Sequence, residues 1–106
     1  VTGEPGAPVL VLGNGSKAAF DGLFVTPKVR LPNDLHAQLG CDIDSTAIGD
    51  IIKVDAMQAT NVAGVFACGD AANPMATIAM AVSRGAMAGV ATHRSLLFSA
   101  TLSKAA

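Results

Sequence analysis

Three features of the sequence predict an α/β fold. Short apolar runs separated by glycine-containing turns are typical of strands, and VLVL at 9–12 is the first of them. The fully apolar run VFAC at 65–68 is typical of a strand covered on both faces. From Asn73 onward the sequence changes to helix formers, with no proline after Pro74. The chain is 51% hydrophobic but only 4% aromatic, so small side chains must do much of the packing.

The N-terminal region predicts a three-stranded β-meander. The segments 8–12, 17–20 and 23–26 are the expected strands, because turns containing Gly, Asn or Asp separate them. Pro27 and Pro32 then stop strand pairing.

A short helix and another strand are predicted next. In NDLHAQLG, Asn33 is a candidate N-cap and Gly40 a left-handed C-terminal stop, which predicts one or two helical turns. Gly49 and Asp50 are predicted to turn the chain into a strand at 51–54.

The C-terminal region predicts one long helix. Asn73 is the candidate N-cap and Pro74 suits the first helical position, so we expect the helix to begin between Pro74 and Thr77 and to end near Phe98. Basic residues interrupt its apolar segments, which argues against a membrane span of about 20 apolar residues.

Charge and cysteine content exclude several classes of function. Seven Lys and Arg balance eight Asp and Glu without a run of like charge, so neither a nucleic acid nor a membrane partner is expected. Cys41 and Cys68 are too far apart for a C-x-x-C pair and too few for a zinc site. They favour a reducing, cytoplasmic setting. The start of the chain lacks Met and a signal-peptide pattern, which suggests a piece of a longer protein.

The stretch TNVAGVFACGD at 60–70 is the strongest functional candidate. An apolar strand followed by Gly69, Asp70, a loop and a helix N-terminus is the geometry at which α/β sheets bind ligands. Gly69 allows close approach to the backbone, and the Asp70 carboxylate accepts hydrogen bonds from the hydroxyls of a polyol. The helix N-terminus offers unpaired N–H groups to an electron-rich carbonyl or a phosphate. The simpler alternative for Asp70 is a loop cap without a ligand.

This stretch, T-x-V-x-G-V-F-A-C-G-D, resembles the second FAD-binding motif of the flavoprotein disulfide reductases with two dinucleotide-binding domains, and is most similar to their thioredoxin reductase-like branch. The resemblance implies a fragment of a three-layer, Rossmann-like FAD/NAD(P)-binding domain, made of a β-meander, a strand and a long C-terminal helix. Residues 1–30 would then end the NAD(P)H-domain meander and cross over, and 31–106 would form the C-terminal part of the FAD-binding domain.

The resemblance also implies a cofactor site and an activity. Gly69 and Asp70 would lie at the FAD ribityl chain, and Ala76, Thr77 and Ile78 at the isoalloxazine ring. Electrons would pass from NADPH or NADH through FAD to an acceptor protein or a small dithiol or disulfide substrate. NAD(P)H would be bound mainly by residues outside this chain. The family also implies a homodimer, and these residues alone would be inactive.

The chain departs from this family in informative ways. Thioredoxin reductases usually carry an Arg-Gln pair at the helix start, where this chain has MATI at 75–78. A redox-active C-x-x-C, the G-x-G-x-x-G of the FAD pyrophosphate site and the NAD(P)H glycine motif are absent from these residues, and the resemblance implies that they lie upstream. Related dithiol oxidases and ferredoxin reductases remain open, and so does a non-catalytic binding or assembly module of the same fold.

Overall fold

The computed structural model describes residues 6–105, with side chains given through residue 98. It has the predicted α/β character. In chain order it contains β1 (Val9–Val11), β2 (Lys17–Ala19), α1 (Leu35–Leu39), β3 (Ile43–Thr46), β4 (Gly49–Ile52), a 3-10 turn (Gly69–Ala72) and α2 (Ile78–Ala105).

β1 and β2 form an antiparallel hairpin in which Leu10 lies opposite Ala18. In its turn, Ser16 donates two hydrogen bonds to the Asn14 Oδ1, from its backbone N at 3.0 Å and its hydroxyl at 2.7 Å. The predicted third strand at 23–26 is wrong, since this segment has no strand pairing and Phe24 is fully exposed. A β-segment needs a neighbouring strand for its N–H and C=O groups, and the described residues provide none there.

The stop of α1 is confirmed, because Gly40 adopts the left-handed conformation with φ 77°. The predicted cap at Asn33 is wrong by one position: Asp34 is the cap residue and makes no side-chain cap bond. The Asn33 Oδ1 instead accepts the Leu35 N–H at 3.1 Å. An Asn side chain bonds readily to the backbone two residues on, so it closes a turn before the helix starts.

β3 and β4 form a second antiparallel hairpin, with Thr46 opposite Gly49. The tight turn lies at 47–48, so the predicted turn at Gly49 and Asp50 and the predicted strand at 51–54 are each shifted along the chain. The Ser45 hydroxyl donates to Asp50 at 2.7 Å, which explains why a polar stretch pairs as a strand that the apolar pattern missed.

The predicted strand at 65–68 is also wrong. Phe66 makes one isolated bridge with Ala59, and the segment is held by the Thr60 N–H to Val65 C=O bond and the Ala67 N–H to Gln58 C=O bond, both 3.0 Å. A strand covered on both faces needs neighbours on both edges and layers above and below. The described residues supply one edge only.

Few apolar side chains are buried in the described residues: Ile51, Ala72, Ala88 and Ala91. The accessible surface is 7874 Å², against about 5,500 Å² for a compact monomer of this mass. The Cα radius of gyration is 20.0 Å, against about 13 Å for a compact domain. The 3-10 turn contacts both β4 and α2, so this small core lies directly beside the predicted site.

Candidate cofactor site

Gly69 and Asp70 form the first half of the 3-10 turn. Cys68 before them is extended, and Gly69 has φ +70°. A side chain at this left-handed position would be strained, although a Cβ there would meet no atom within 4 Å. The glycine is therefore required by the backbone path, which bends the chain sharply and leaves open space beside it.

A cleft of about 210 Å³ brings together the other predicted site residues. It is lined by Asp70, Ala76, Thr77, Ile78 and Ala81. Gly69 is not among the lining residues. Its left-handed backbone conformation sets the direction in which the chain enters Asp70. Ala81 also lines the cleft, and it lies three positions after Ile78 on the same helical face, a face of small residues that the sequence predicts to lie against a sheet or a cofactor.

The start of α2 differs from the prediction. The helix begins at Ile78, and Thr77 is its cap, since the Thr77 Oγ1 accepts the Met80 N–H at 3.3 Å. Asn73 and Pro74 therefore do not occupy the N-cap and first helical positions. The Ala81 N–H bonds to the Thr77 carbonyl at 2.9 Å, whereas the N–H groups of Ile78 and Ala79 have no acceptor in the described part of the chain.

Asn73 forms hydrogen bonds within the loop that precedes α2. Its side chain is buried, with 5% exposed. The amide Nδ2 donates to the Met75 carbonyl at 3.0 Å, and the Oδ1 accepts the Met75 N–H at 3.2 Å. The loop between the 3-10 turn and α2 is thus closed on itself by one side chain.

The cleft combines polar and apolar surfaces. Asp70 is exposed, and its carboxylate has no hydrogen bond or ion pair among the described residues. The apolar side chain of Ile78, at the helix start, is 86% exposed and lies next to free backbone N–H groups. An exposed carboxylate, free backbone donors and an uncovered apolar side chain suit a ligand that has hydroxyl groups, hydrogen-bond acceptors and an apolar surface.

Other parts of the molecule offer less chemistry. The cavity between α1 and the 65–67 segment, about 260 Å³, is lined mainly by apolar residues. Cys41 and Cys68 are free thiols. In the residues that the structure describes, no group of three or more His, Cys, Asp or Glu is placed to hold a metal ion. No helix within those residues has both the length and the apolar character needed to cross a membrane.

Known proteins resemble this chain in sequence and in structure. The family described as pyridine nucleotide-disulphide oxidoreductase matches residues 1–85. The thioredoxin reductase sirT of Leptosphaeria maculans is 37% identical over 86 residues, which are 81% of this chain and 26% of that protein. A thioredoxin reductase of Gibberella zeae is 36% identical over 87 residues, which are 79% of this chain and 25% of that protein.

A crystal structure of an oxidoreductase from Agrobacterium tumefaciens is similar in fold. It superimposes with a TM-score of 0.75 and 46% sequence identity, over 85% of this chain and 30% of the other. The chain thus spans about a quarter of the length of the curated relatives it matches.

Proposed function

The chain belongs to the pyridine nucleotide-disulphide oxidoreductase family, as a fragment of its larger Rossmann-like fold, and we propose that it is the C-terminal FAD-binding portion of a thioredoxin reductase-like, flavin-dependent NAD(P)H oxidoreductase. In this proposal residues 1–30 end the NAD(P)H-binding domain and cross over, and residues 31–106 complete the FAD-binding domain. The surface left exposed by the described residues supports a chain that packs against further parts of one fold.

One observation carries the proposal: Asp70, Ala76, Thr77 and Ile78 line a single cleft. The polar and apolar groups of this cleft fit a flavin. The Asp70 carboxylate has no partner, so it is available to accept hydrogen bonds from ribityl hydroxyls. The apolar Ile78 side chain and the small Ala76 side chain offer a surface for the flat ring. The free N–H groups of Ile78 and Ala79 suit a ring carbonyl oxygen.

The bound flavin would supply two-electron chemistry between a nicotinamide and a disulfide or other acceptor. The contribution of this chain is to bind and to orient. Asp70 fixes the polyol end, the start of α2 fixes the ring end, and the positive end of the helix dipole favours negative charge near the ring. Neither Cys41 nor Cys68 has a nearby cysteine in sequence, so we assign the redox disulfide, where one exists, to residues outside this chain.

The electron acceptor is proposed as a protein or a small dithiol or disulfide, reached through a flavin reduced by NADPH or NADH. The two free thiols support a reducing compartment, and we propose the cytoplasm. A non-catalytic binding module is the alternative, and it predicts a protein that retains no flavin.

Asp70→Asn tests the assignment, in protein expressed from the complete reading frame. Losing hydrogen bonds to a charged acceptor costs about 1.5–3 kcal/mol, so FAD should bind roughly 10- to 150-fold more weakly. Asp44→Asn is the matched control, because Asp44 is an exposed β3 carboxylate that makes the same charge change away from the cleft. The measurements are flavin content by visible absorbance and FAD affinity of the stripped protein. FAD affinity equal in wild type and Asp70→Asn would refute the role of Asp70, and a wild-type protein that binds no flavin would favour the binding module.

A further inference from the structure

The loop between the 3-10 turn and α2 contains a buried side-chain amide, that of Asn73. Asn73 is 5% exposed, and both polar atoms of its side chain bond to the backbone of Met75. A polar side chain is buried at low cost only when its hydrogen bonds are made, and here one residue satisfies both. Between the two bonded residues stands Pro74, whose ring fixes its own φ. The path of the loop from 73 to 75 is therefore rigid.

This rigid loop joins the two sides of the cleft. Asp70 lies in the turn just before Asn73, and Ala76, Thr77 and Ile78 come just after Met75. The separation between the Asp70 carboxylate and the start of α2 thus depends on the conformation of this loop, together with the contact between the turn and α2. The Thr77 hydroxyl caps the helix and makes no hydrogen bond to the turn that carries Asp70, so this cap does not fix that separation.

We propose that Asn73 is a positioning residue of the flavin site: its amide ring with Met75 holds the ribityl-binding carboxylate and the ring-facing helix start at the spacing that one FAD molecule requires. The inference rests on the proposed flavin function. Asn73 does not touch the cofactor in this account. It acts through the backbone, and without it Met75 N–H and C=O lose their partners and the loop gains alternative conformations.

A second asparagine provides a matched control. Asn61 also uses both ends of its amide on the backbone: its Oδ1 accepts the Asp42 N–H at 2.8 Å, and its Nδ2 donates to the Gly40 carbonyl at 2.9 Å. It fixes the end of α1 rather than the cleft, and it is not among the cleft residues. Asn61→Ala therefore removes the same kind of interaction without moving Asp70 or Ile78.

The test compares Asn73→Ala, Asn73→Ser and Asn61→Ala in protein expressed from the complete reading frame. FAD affinity, the visible spectrum of the bound flavin, the flavin midpoint potential and the thermal unfolding temperature are measured for each. We expect Asn73→Ala to weaken FAD binding roughly 10-fold or more and to shift the flavin spectrum and potential. Asn73→Ser keeps a side-chain oxygen for the Met75 N–H, so its affinity should lie between those of wild type and Asn73→Ala. Asn61→Ala should lower the unfolding temperature and leave affinity, spectrum and potential unchanged.

Three results would overturn the inference. The first is wild-type affinity, spectrum and potential in Asn73→Ala. The second is equal loss of affinity in Asn61→Ala, which would mean that general destabilisation loosens the flavin. The third is an affinity of Asn73→Ser no higher than that of Asn73→Ala. Each of these leaves flavin binding by the wild-type protein intact, whereas failure of the proposed function would appear as a wild-type protein without flavin. Where Asn73→Ala does not fold, Asn73→Ser carries the test.

Discussion

Among the glycines that the structure describes, Gly49 is the one at which an added methyl group should have the largest effect. Its φ is +134°, which side chains rarely adopt, and Val29 pairs with it in a parallel bridge. A Cβ at Gly49 would overlap the Val29 carbonyl oxygen and lie 2.8 Å from the carbonyl carbon. The hydrogen bond from the Val29 N–H to the Ile48 carbonyl, at 2.6 Å, holds Val29 in this place. Backbone cannot yield as a flexible side chain does, so the segment around Val29 must move away from β4.

The cost of Gly49→Ala can be built from these parts. The strained φ contributes about 1–3 kcal/mol. Displacing Val29 adds about 1–3 kcal/mol of overpacking or movement, and losing its hydrogen bond adds about 1 kcal/mol. The expected loss of about 3–7 kcal/mol is large against a typical total stability of about 5–15 kcal/mol. Urea unfolding of the protein expressed from the complete reading frame measures it.

Two other glycines separate the causes. Gly64 has φ +79° but open space at its Cβ, so Gly64→Ala should cost about 1–2 kcal/mol from backbone strain alone. Gly85 lies within α2 with open space and no positive φ, so Gly85→Ala should stabilise by about 0.5–1 kcal/mol. A Gly49→Ala cost no greater than that of Gly64→Ala would refute the close approach of Val29, since only strain would then remain.

Three further changes test the site and its surroundings. Ile78→Glu places a carboxylate on an 86% exposed helix-start residue, so it should leave stability nearly unchanged while weakening FAD binding or lowering the flavin potential; wild-type values for both would remove Ile78 from the ring. Thr77→Ala removes the cap of α2 and should cost about 1 kcal/mol in urea unfolding, with Thr77→Ser restoring most of it; an equal loss in both variants would contradict a capping role. Gln58 is 2% exposed and its Oε1 has no partner, so Gln58→Met should raise the free energy of unfolding by about 1 kcal/mol, and a clear loss of stability would show this reasoning to be wrong.

Signals that act over a few residues predicted the structure well. The left-handed stop at Gly40, the hairpin turn before β2 and the existence of the long helix all depend on local backbone preferences, and all are observed. The fold class follows from the same signals. They failed where two local rules compete. Asn73 is extended, with φ −143° and ψ 121°, as both an N-cap and a residue before proline would be. Its side chain bonds to the Met75 backbone, and Thr77 is the N-cap of α2.

The strand predictions failed for a different reason. Segments 23–26 and 65–68 have the composition of strands, but composition describes a surface that fits a sheet and does not supply the neighbouring strand. Phe24 lies fully exposed, and Phe66 makes a single bridge. Conversely, the polar sequence of β3 does not show the apolar pattern of a strand. β3 nevertheless pairs with β4, and the Ser45 hydroxyl bonds to Asp50 across the hairpin. Strand pairing is a property of two segments, so one segment alone cannot predict it.

The same distinction separates the stability of this chain from the geometry of its candidate site. Asp70, Asn73 and Thr77 are close in sequence. The cleft is therefore shaped by local hydrogen bonds, those between the Asn73 amide and Met75 and the Thr77 cap. Gly49 and Val29 are distant in sequence, and neither residue lines the cleft. β4 contacts the 3-10 turn, but Gly49 itself makes no hydrogen bond to a cleft residue, so substitutions at the two places should be nearly additive. Gly49→Ala should lower the free energy of unfolding and leave the FAD affinity of the folded protein unchanged, whereas Asn73→Ala should change that affinity more than stability alone explains.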